Sequence, residues 1–266
     1  FNKFIPALMK VEGVECAGVA SNSPDKLKRF VEKYNVHVYS SYNEVIGDDS
    51  VDCVYIPLPP AFHYEWAKKA LLAGKHVFLE KPSTTSADDT KELVGIAGEK
   101  GLVVQENYMF QFHAQLKEIE NLIASGELGK LRLVRTSFGF PRRAEGDFRY
   151  VKELGGGTMM DNGGYTIKLI DMLLGESMRL VSSQLDYDEK TGIDIFGTAE
   201  FVNDDGVIAQ AAFGMDCQYQ CSLELWGSRG RLTTGRIYTA PDGFKPVALV
   251  ETGAGSRTVE LPSCDA

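Results

Sequence analysis

Residues 51–84, "VDCVYIPLPPAFHYEWAKKALLAGKHVFLEKPST", decide the fold. "VDCVYIPLP" (51–59) is rich in β-favouring apolar residues and stops at a proline pair, which reads as a strand. "FHYEWAKKALLAGK" changes to helical spacing and is ended by Gly74. "HVFLE" (76–80) returns as a strand and runs straight into Glu80, Lys81 and Pro82. Strand, helix and strand at this spacing make a βαβ unit, so the sheet is parallel and carries helices on its faces.

The same alternation extends outward. Upstream, "VECAGVAS" (14–21) predicts a strand and "PDKLKRFVEKYN" an amphipathic helix. Downstream, Ser86 can cap a helix with Asp89 three residues on, and "GLVVQENYMF" (101–110) is the next strand. In an open parallel sheet ligands bind beyond the carboxyl ends of the strands. Pro57 and Leu58, Glu80 and Lys81, and Asn107 stand at those ends. A strand ending in two charges therefore places Lys81 where it meets a ligand, or leaves Glu80 and Lys81 as an ordinary solvated strand end.

A chain of 266 residues favours two domains, and 44% hydrophobic with 24% charged residues is ordinary for a globular protein. A net charge of −9 argues against a nucleic-acid partner, which needs a concentrated positive field. No apolar run reaches the length of a membrane span, so no membrane partner is expected. Cys16, Cys53, Cys217, Cys221 and Cys264 are odd in number, scattered and without a CxxC pair. That pattern predicts free thiols in a reducing cytoplasm and no metal site.

A second region carries its own signal. "LGGGTMMDNGGYTIKLIDMLLGE" (154–176) holds three glycines and then a helix-like stretch stopping at Gly175. Asp161 and Tyr165 are four apart, so on an α-helix they share a face and can address one ligand. Gly163 and Gly164 between them cost about 1 kcal/mol each relative to Ala inside a helix, which predicts a close neighbour: a ligand, a packing helix or a sheet strand. After residue 178 come alternating strands, "RLVSSQLDY", "IDIFGTAEFV", "VIAQAAFGM", "YQCSLELWG" and "GRLTTG", with turns such as "NDDG" and "GSRG" between them.

The series "IPLPPAFHYEWAKKALLAGKHVFLEKP", "QENYMF" and "GGGTMMDNGGY" resembles the Gfo/Idh/MocA family of nicotinamide-dependent sugar oxidoreductases over nearly the whole chain. The likeness is nearest to members that reduce a keto-hexose carried on a nucleoside diphosphate. Many members carry His where Tyr165 stands, so this chain resembles the tyrosine-bearing branch. The resemblance implies an α/β protein: a Rossmann-type parallel-sheet domain over residues 1–108, then a substrate-binding and oligomerisation α/β domain with a large, mostly antiparallel sheet over 109–266. One face of that second sheet covers the ligand crevice; the other often forms a subunit interface in the family, so a homodimer or homotetramer is expected. The family's GxGxxG turn is absent, and "FNKFIPALMKVEGVE" reads as the helix that follows it. We therefore expect the encoded polypeptide to extend upstream with a strand and a glycine-rich turn, and to continue beyond "LPSCDA".

Where NAD-preferring folds place an acid after the second strand, this sequence has Ser21, Asn22 and Ser23, with Lys26 following. Those donors favour NADP(H) over NAD(H); capping of the next helix, a role suited to Ser23 before Pro24, is the other reading. For catalysis, hydride delivery to a ketone needs a proton donor and a nearby cation. Tyr165 is the expected donor. Lys81 orients the carbonyl or lowers the tyrosine's pKa, Asp161 positions either group, and Asn107 holds the nicotinamide or its ribose. His63 opens a helix and either touches the nucleotide or is structural; His113 is a substrate contact or a hinge residue. Arg142, Arg143 and Arg149 can bind a diphosphate or stay solvated, and Tyr108, Phe110 and Phe112 can wall a sugar pocket or pack the core. The expected activity is reduction of a keto-sugar, nucleotide-linked or free. Oxidation of an aldose or cyclic polyol by the same Lys–Tyr apparatus and a non-catalytic nicotinamide-binding sensor or scaffold are the alternatives.

Overall fold

The computed structural model describes residues 3–175, 177–241 and 243–264. The chain divides into two units. One runs through Leu58 and resumes over Phe62–Asn107; the other holds Pro59–Ala61 and the chain from Tyr108 onward.

The first unit contains α1 (Phe4–Leu8), α2 (Pro24–Tyr34), α3 (Tyr42–Gly47), β1 (Cys53–Ile56), α4 (His63–Leu72), β2 (His76–Glu80), α5 (Ala87–Lys100) and β3 (Val104–Asn107). Its strands form a parallel sheet in the order β1-β2-β3, with Tyr55 opposite Phe78 and Glu80 opposite Asn107. The βαβ reading of 51–84 is thus the centre of the unit. α4 and α5 bury Ala67, Ala70, Leu71, Leu93 and Ala97 with Ile56, Val77 and Leu79, an apolar layer that water would otherwise cover. Phe4 of α1 stacks on Tyr55, ring centroids 3.6 Å apart, and lies 5.6 Å from Phe78. The helix termini follow the sequence: the Ser86 hydroxyl accepts from the Asp89 amide at 3.4 Å, and Gly74, at φ +83°, ends the α4 turn in a left-handed conformation that suits glycine.

One expected strand is absent. "VECAGVAS" forms a single parallel bridge, Val19 to Val38, in which the Val19 amide donates to the His37 carbonyl and the Tyr39 amide to the Val19 carbonyl, both at 2.9 Å. Among the described residues no longer ladder pairs with it, and β propensity without a paired neighbour does not make a strand. Gly18 is required here because a Cβ would stand 2.7 Å from the Tyr39 ring. Of the helix expected over "FNKFIPALMKVEGVE", α1 is present, while Phe1 and Asn2 lie outside the described residues.

The second unit contains α6 (Ala114–Ala124), β4 (Leu131–Gly139), a π-helical turn (Met159–Gly163), α7 (Gly164–Leu174), β5 (Arg179–Tyr187), β6 (Asp194–Val202), β7 (Ile208–Gly214), β8 (Gln220–Gly227), β9 (Gly230–Gly235), β10 (Val247–Thr252) and β11 (Gly255–Glu260). The eight strands form one sheet in the order β11-β10-β9-β8-β4-β7-β6-β5. Every pairing is antiparallel except β4 with β7. One face packs Val134, Ala209, Ala211, Phe213, Leu223 and Leu225 in a core with Leu116 and Ile119 of α6 and Leu169 and Ile170 of α7. The opposite face leaves Phe196, Ile208, Trp226 and Leu249 exposed and is crossed by a polar row. In that row Arg135 and Arg231 both reach Glu224, at 3.3 and 3.1 Å, and Gln210 joins Arg135 to Glu200. No helix among the described residues is long and apolar enough to cross a membrane.

Candidate active site

In the first unit the carboxyl ends of the strands are tied by one carboxylate. Glu80 Oε1 accepts from the Tyr55 hydroxyl at 2.6 Å and from Asn107 Nδ2 at 2.7 Å, joining β1, β2 and β3 where they end. Burial and the Glu80 carboxylate push the Tyr55 phenol far above its ordinary pKa, so it remains a donor. One strand-turn further, the Ser83 amide donates to Glu106 Oε1 at 2.7 Å, which fixes the loop that carries Lys81; the Lys81–Pro82 peptide is cis. Lys81 and Asn107 are half-buried, and Pro57 is exposed beside half-buried Leu58. Ser23 is the N-cap of α2 with Pro24 at the first helical position, yet its hydroxyl makes no capping bond. Instead the Ser23 amide donates to Ser21 Oγ at 3.1 Å, and Asn22 is exposed.

His63 takes the structural one of its two expected places. It is fully buried, with Nε2 2.6 Å from the Leu58 carbonyl and Nδ1 2.8 Å from the Pro82 carbonyl. The ring is the strut between the loop after β1 and the loop after β2. A neutral imidazole donates to one of the two carbonyls and only a doubly protonated ring to both. His63→Phe keeps the bulk and removes the donors, so it is expected to destabilise the protein by about 1–3 kcal/mol, the cost of stranding a buried carbonyl. The urea midpoint measures this, and an unchanged midpoint would refute the strut.

In the second unit the glycine-rich segment winds as a π-turn before α7. Asp161 lies in that turn, where Oδ2 accepts from Arg149 Nε at 2.7 Å; Arg149 also reaches Asp147 Oδ1 at 3.1 Å. Burial alone would lower the Arg149 pKa, but the two carboxylates, Asp161 foremost, more than offset it and leave the guanidinium's pKa raised. Tyr165, on the first turn of α7, stands among rings, with centroids 4.9 Å from Tyr108, 5.2 Å from Phe138 and 5.7 Å from both Phe110 and Tyr238. Asp161 is thus paired with Arg149 while Tyr165 packs among rings, relations that the spacing of a plain α-helix does not convey. The close neighbours expected at the glycines are present: a Cβ on Gly164 would overlap the Tyr108 hydroxyl, and one on Gly163 would stand 3.2 Å from the Phe213 ring of β7.

The residues expected as substrate contacts have partners within the protein. His113 is buried as the N-cap of α6, its Nδ1 accepting from the Gln115 amide at 3.2 Å, and burial lowers its pKa. Tyr108 and Phe110 are core residues, whereas Phe112 is exposed. The Arg142 guanidinium is held by Asp188 at 2.9 Å and Asp216 at 3.1 Å and lies over the Tyr150 ring. Arg149 is likewise engaged by Asp161. The sequence reading missed that pairing because the partners are twelve residues apart across an irregular loop, with no periodicity to connect them. It also missed Tyr55, whose place opposite Phe78 hides a hydroxyl in an apolar run. All five cysteines are free thiols.

A family model described as "Oxidoreductase family, NAD-binding Rossmann fold" matches residues 1–108, and one described as "GFO/IDH/MocA C-terminal domain" matches residues 116–233. The chain belongs to the GFO/IDH/MocA oxidoreductase family. Among its GFO/IDH/MocA relatives, a dTDP-3,4-didehydro-2,6-dideoxy-alpha-D-glucose 3-reductase of Streptomyces violaceoruber is 38% identical over 99% of this chain and 77% of its own length. A protein of the same description from Saccharopolyspora spinosa is 35% identical over 100% of this chain and 80% of its own. The crystal structure of KijD10, a 3-ketoreductase from Actinomadura kijaniata in complex with NADP and TDP-benzene, superposes with a TM-score of 0.96 at 35% identity, covering 99% of this chain and 81% of that one. This GFO/IDH/MocA chain is accordingly an oxidoreductase with a Rossmann-type unit followed by a large, mostly antiparallel sheet.

Proposed function

We propose that the protein is an NADP(H)-dependent reductase of a keto-sugar carried on thymidine diphosphate, acting at C3. The observation that carries this reading is the likeness to KijD10 over 99% of the chain at a TM-score of 0.96. The residues around the expected 2′-phosphate agree with it: Asn22 and Lys26 are exposed and Ser21 is half-buried, a set of donors and one positive charge that suits a phosphate better than a ribose hydroxyl. NADPH, when bound, supplies the hydride to the carbonyl carbon.

The protein's own part is placement and proton supply. Tyr165 donates its hydroxyl proton to the carbonyl oxygen as that oxygen takes up the C=O electron pair, leaving a secondary alcohol. Lys81 provides positive charge for the developing alkoxide, and Asp161, held by Arg149, fixes the approach of Tyr165. Glu80 and Asn107 shape the strand ends beneath the nicotinamide ribose. The unit from Tyr108 onward binds the sugar nucleotide in this scheme, and the apolar residues on the open face of its sheet, Trp226 and Leu249 among them, support a homodimer or homotetramer. We place the enzyme in the cytoplasm, on the strength of its five free cysteines.

Absorbance of the reduced cofactor during turnover of a thymidine-diphosphate-linked 3-keto-sugar tests the activity. Inertness towards that substrate together with oxidation of a free aldose or cyclic polyol would transfer the enzyme to the dehydrogenase class. On cofactor choice, fluorescence titration is expected to give NADPH a dissociation constant at least about tenfold below that of NADH, a difference of about 1.4 kcal/mol. Tighter binding of NADH would reverse the assignment.

A further inference from the structure

Asn162 lies in the π-turn between Asp161 and Gly163 and is fully buried. Its carboxamide makes three hydrogen bonds. Nδ2 donates to the Phe138 carbonyl at 2.7 Å and to the Gly214 carbonyl at 2.8 Å, and Oδ1 accepts from the Thr158 hydroxyl at 2.5 Å. Phe138 and Gly214 belong to β4 and β7, near the carboxyl ends of the sheet's one parallel pair. One side chain therefore bolts the turn to both central strands, and the Thr158 hydroxyl fixes which end of the amide faces them.

The turn needs such a bolt. An i→i+5 turn holds one residue more than an α-turn, which rotates what precedes it by about 100° relative to α7, and it is rarely adopted without outside support. Here the other support is the Asp194 carboxylate, whose Oδ2 accepts from the Met159 amide at 2.7 Å. Just past the Asn162 anchor a Cβ on Gly163 would stand 3.2 Å from the Phe213 ring, and α7 begins at Gly164 with Tyr165 on its first turn. If the amide is lost, two buried carbonyls lose a donor and the turn is free to relax to the commoner α geometry, re-aiming Asp161 and Tyr165.

We propose that Asn162, locked by Thr158, is the positioning residue that sets the orientation of Asp161 and Tyr165. The proposal rests on the reductase reading for its kinetic consequence and on the hydrogen bonds for its structural one. Displacements of about 1 Å at a reacting group cost on the order of 10²-fold in rate, so Asn162→Leu is expected to lower kcat by about that factor. NADPH affinity, governed by the first unit, should stay within about twofold of wild type, a split that general unfolding would not give.

The test compares wild type, Asn162→Leu, Thr158→Val and Thr158→Ser for turnover of a thymidine-diphosphate-linked 3-keto-sugar, for NADPH binding and for amide hydrogen exchange. Thr158→Val should lose part of the rate, and Thr158→Ser, which returns the hydroxyl, should recover most of it. Exchange of the peptide spanning residues 158–166 should quicken at least about tenfold in Asn162→Leu and Thr158→Val, with α6 and the sheet unaffected. An inert wild type would overturn the reductase reading and leave the exchange to decide this one. Unchanged exchange in both variants, or unchanged kcat in both when wild type is active, would overturn the role of Asn162. If Asn162→Leu does not fold, the Thr158→Val and Thr158→Ser pair decides between the same two outcomes.

Discussion

Tyr165→Phe is expected to lower kcat by about 10²- to 10⁴-fold, the usual worth of general acid catalysis, while NADPH binds almost as before. The hydroxyl is asked for only when the carbonyl oxygen becomes an alkoxide, so its removal acts on the transition state and not on ground-state binding. The phenylalanine ring retains the packing of Tyr165 on Tyr108, Phe138, Phe110 and Tyr238, which keeps the substitution from disturbing the core. Steady-state kinetics on a confirmed substrate, with cofactor titration beside it, measures the split. Near-normal turnover would remove Tyr165 as the donor and give that role to water.

Lys81→Ala is expected to cost as much or more, since it deletes the cation that the developing oxyanion requires. Its loop is pinned independently, by Ser83 to Glu106 and by His63 to Pro82, so the fold should survive the change and the loss should fall on kcat. The double variant Lys81→Ala/Tyr165→Phe should be no slower than the worse single one, because groups that act as a unit are not additive. Multiplicative losses in the double variant would show that the two serve separate steps.

The βαβ core was legible because residues 51–84 switch period cleanly and end each element with a proline, glycine or charge. The strands β7 to β9 were legible for a related reason: alternation persists wherever one face is buried and the other wet. β4 was not read, although "LRLVRTSFG" alternates, since Arg132 and Arg135 break its apolar look and only its partners reveal it as central. "VECAGVAS" shows the converse, a β-rich stretch with one bridge. In the site, residue identities could be read and residue relations could not. Asp161 and Tyr165 stood out as a pair, but the π-turn that carries Asp161, the Arg149 carboxylate pairing and the Asn162 amide all depend on loops and strands far away in sequence. His63 and His113 were left between two readings for a shared reason: a histidine satisfied by backbone groups has no signature in composition.

The parallel pairing of β4 with β7 also dictates an order of assembly. Arg135 on β4 meets Gln210 on β7 across 75 residues of chain, and Glu224 on β8 lies farther on still. Closing loops of that length comes before any reward from the pairing, which places this unit among topologies that fold slowly. During synthesis, β4 leaves the ribosome long before either neighbour exists, with both of its backbone edges unmatched and Val134 and Phe138 bare. Any nascent chain that ends before Ile208 carries the middle of a sheet without its flanks, and the arginines at 132 and 135 supply the charge that keeps such an open strand from recruiting another.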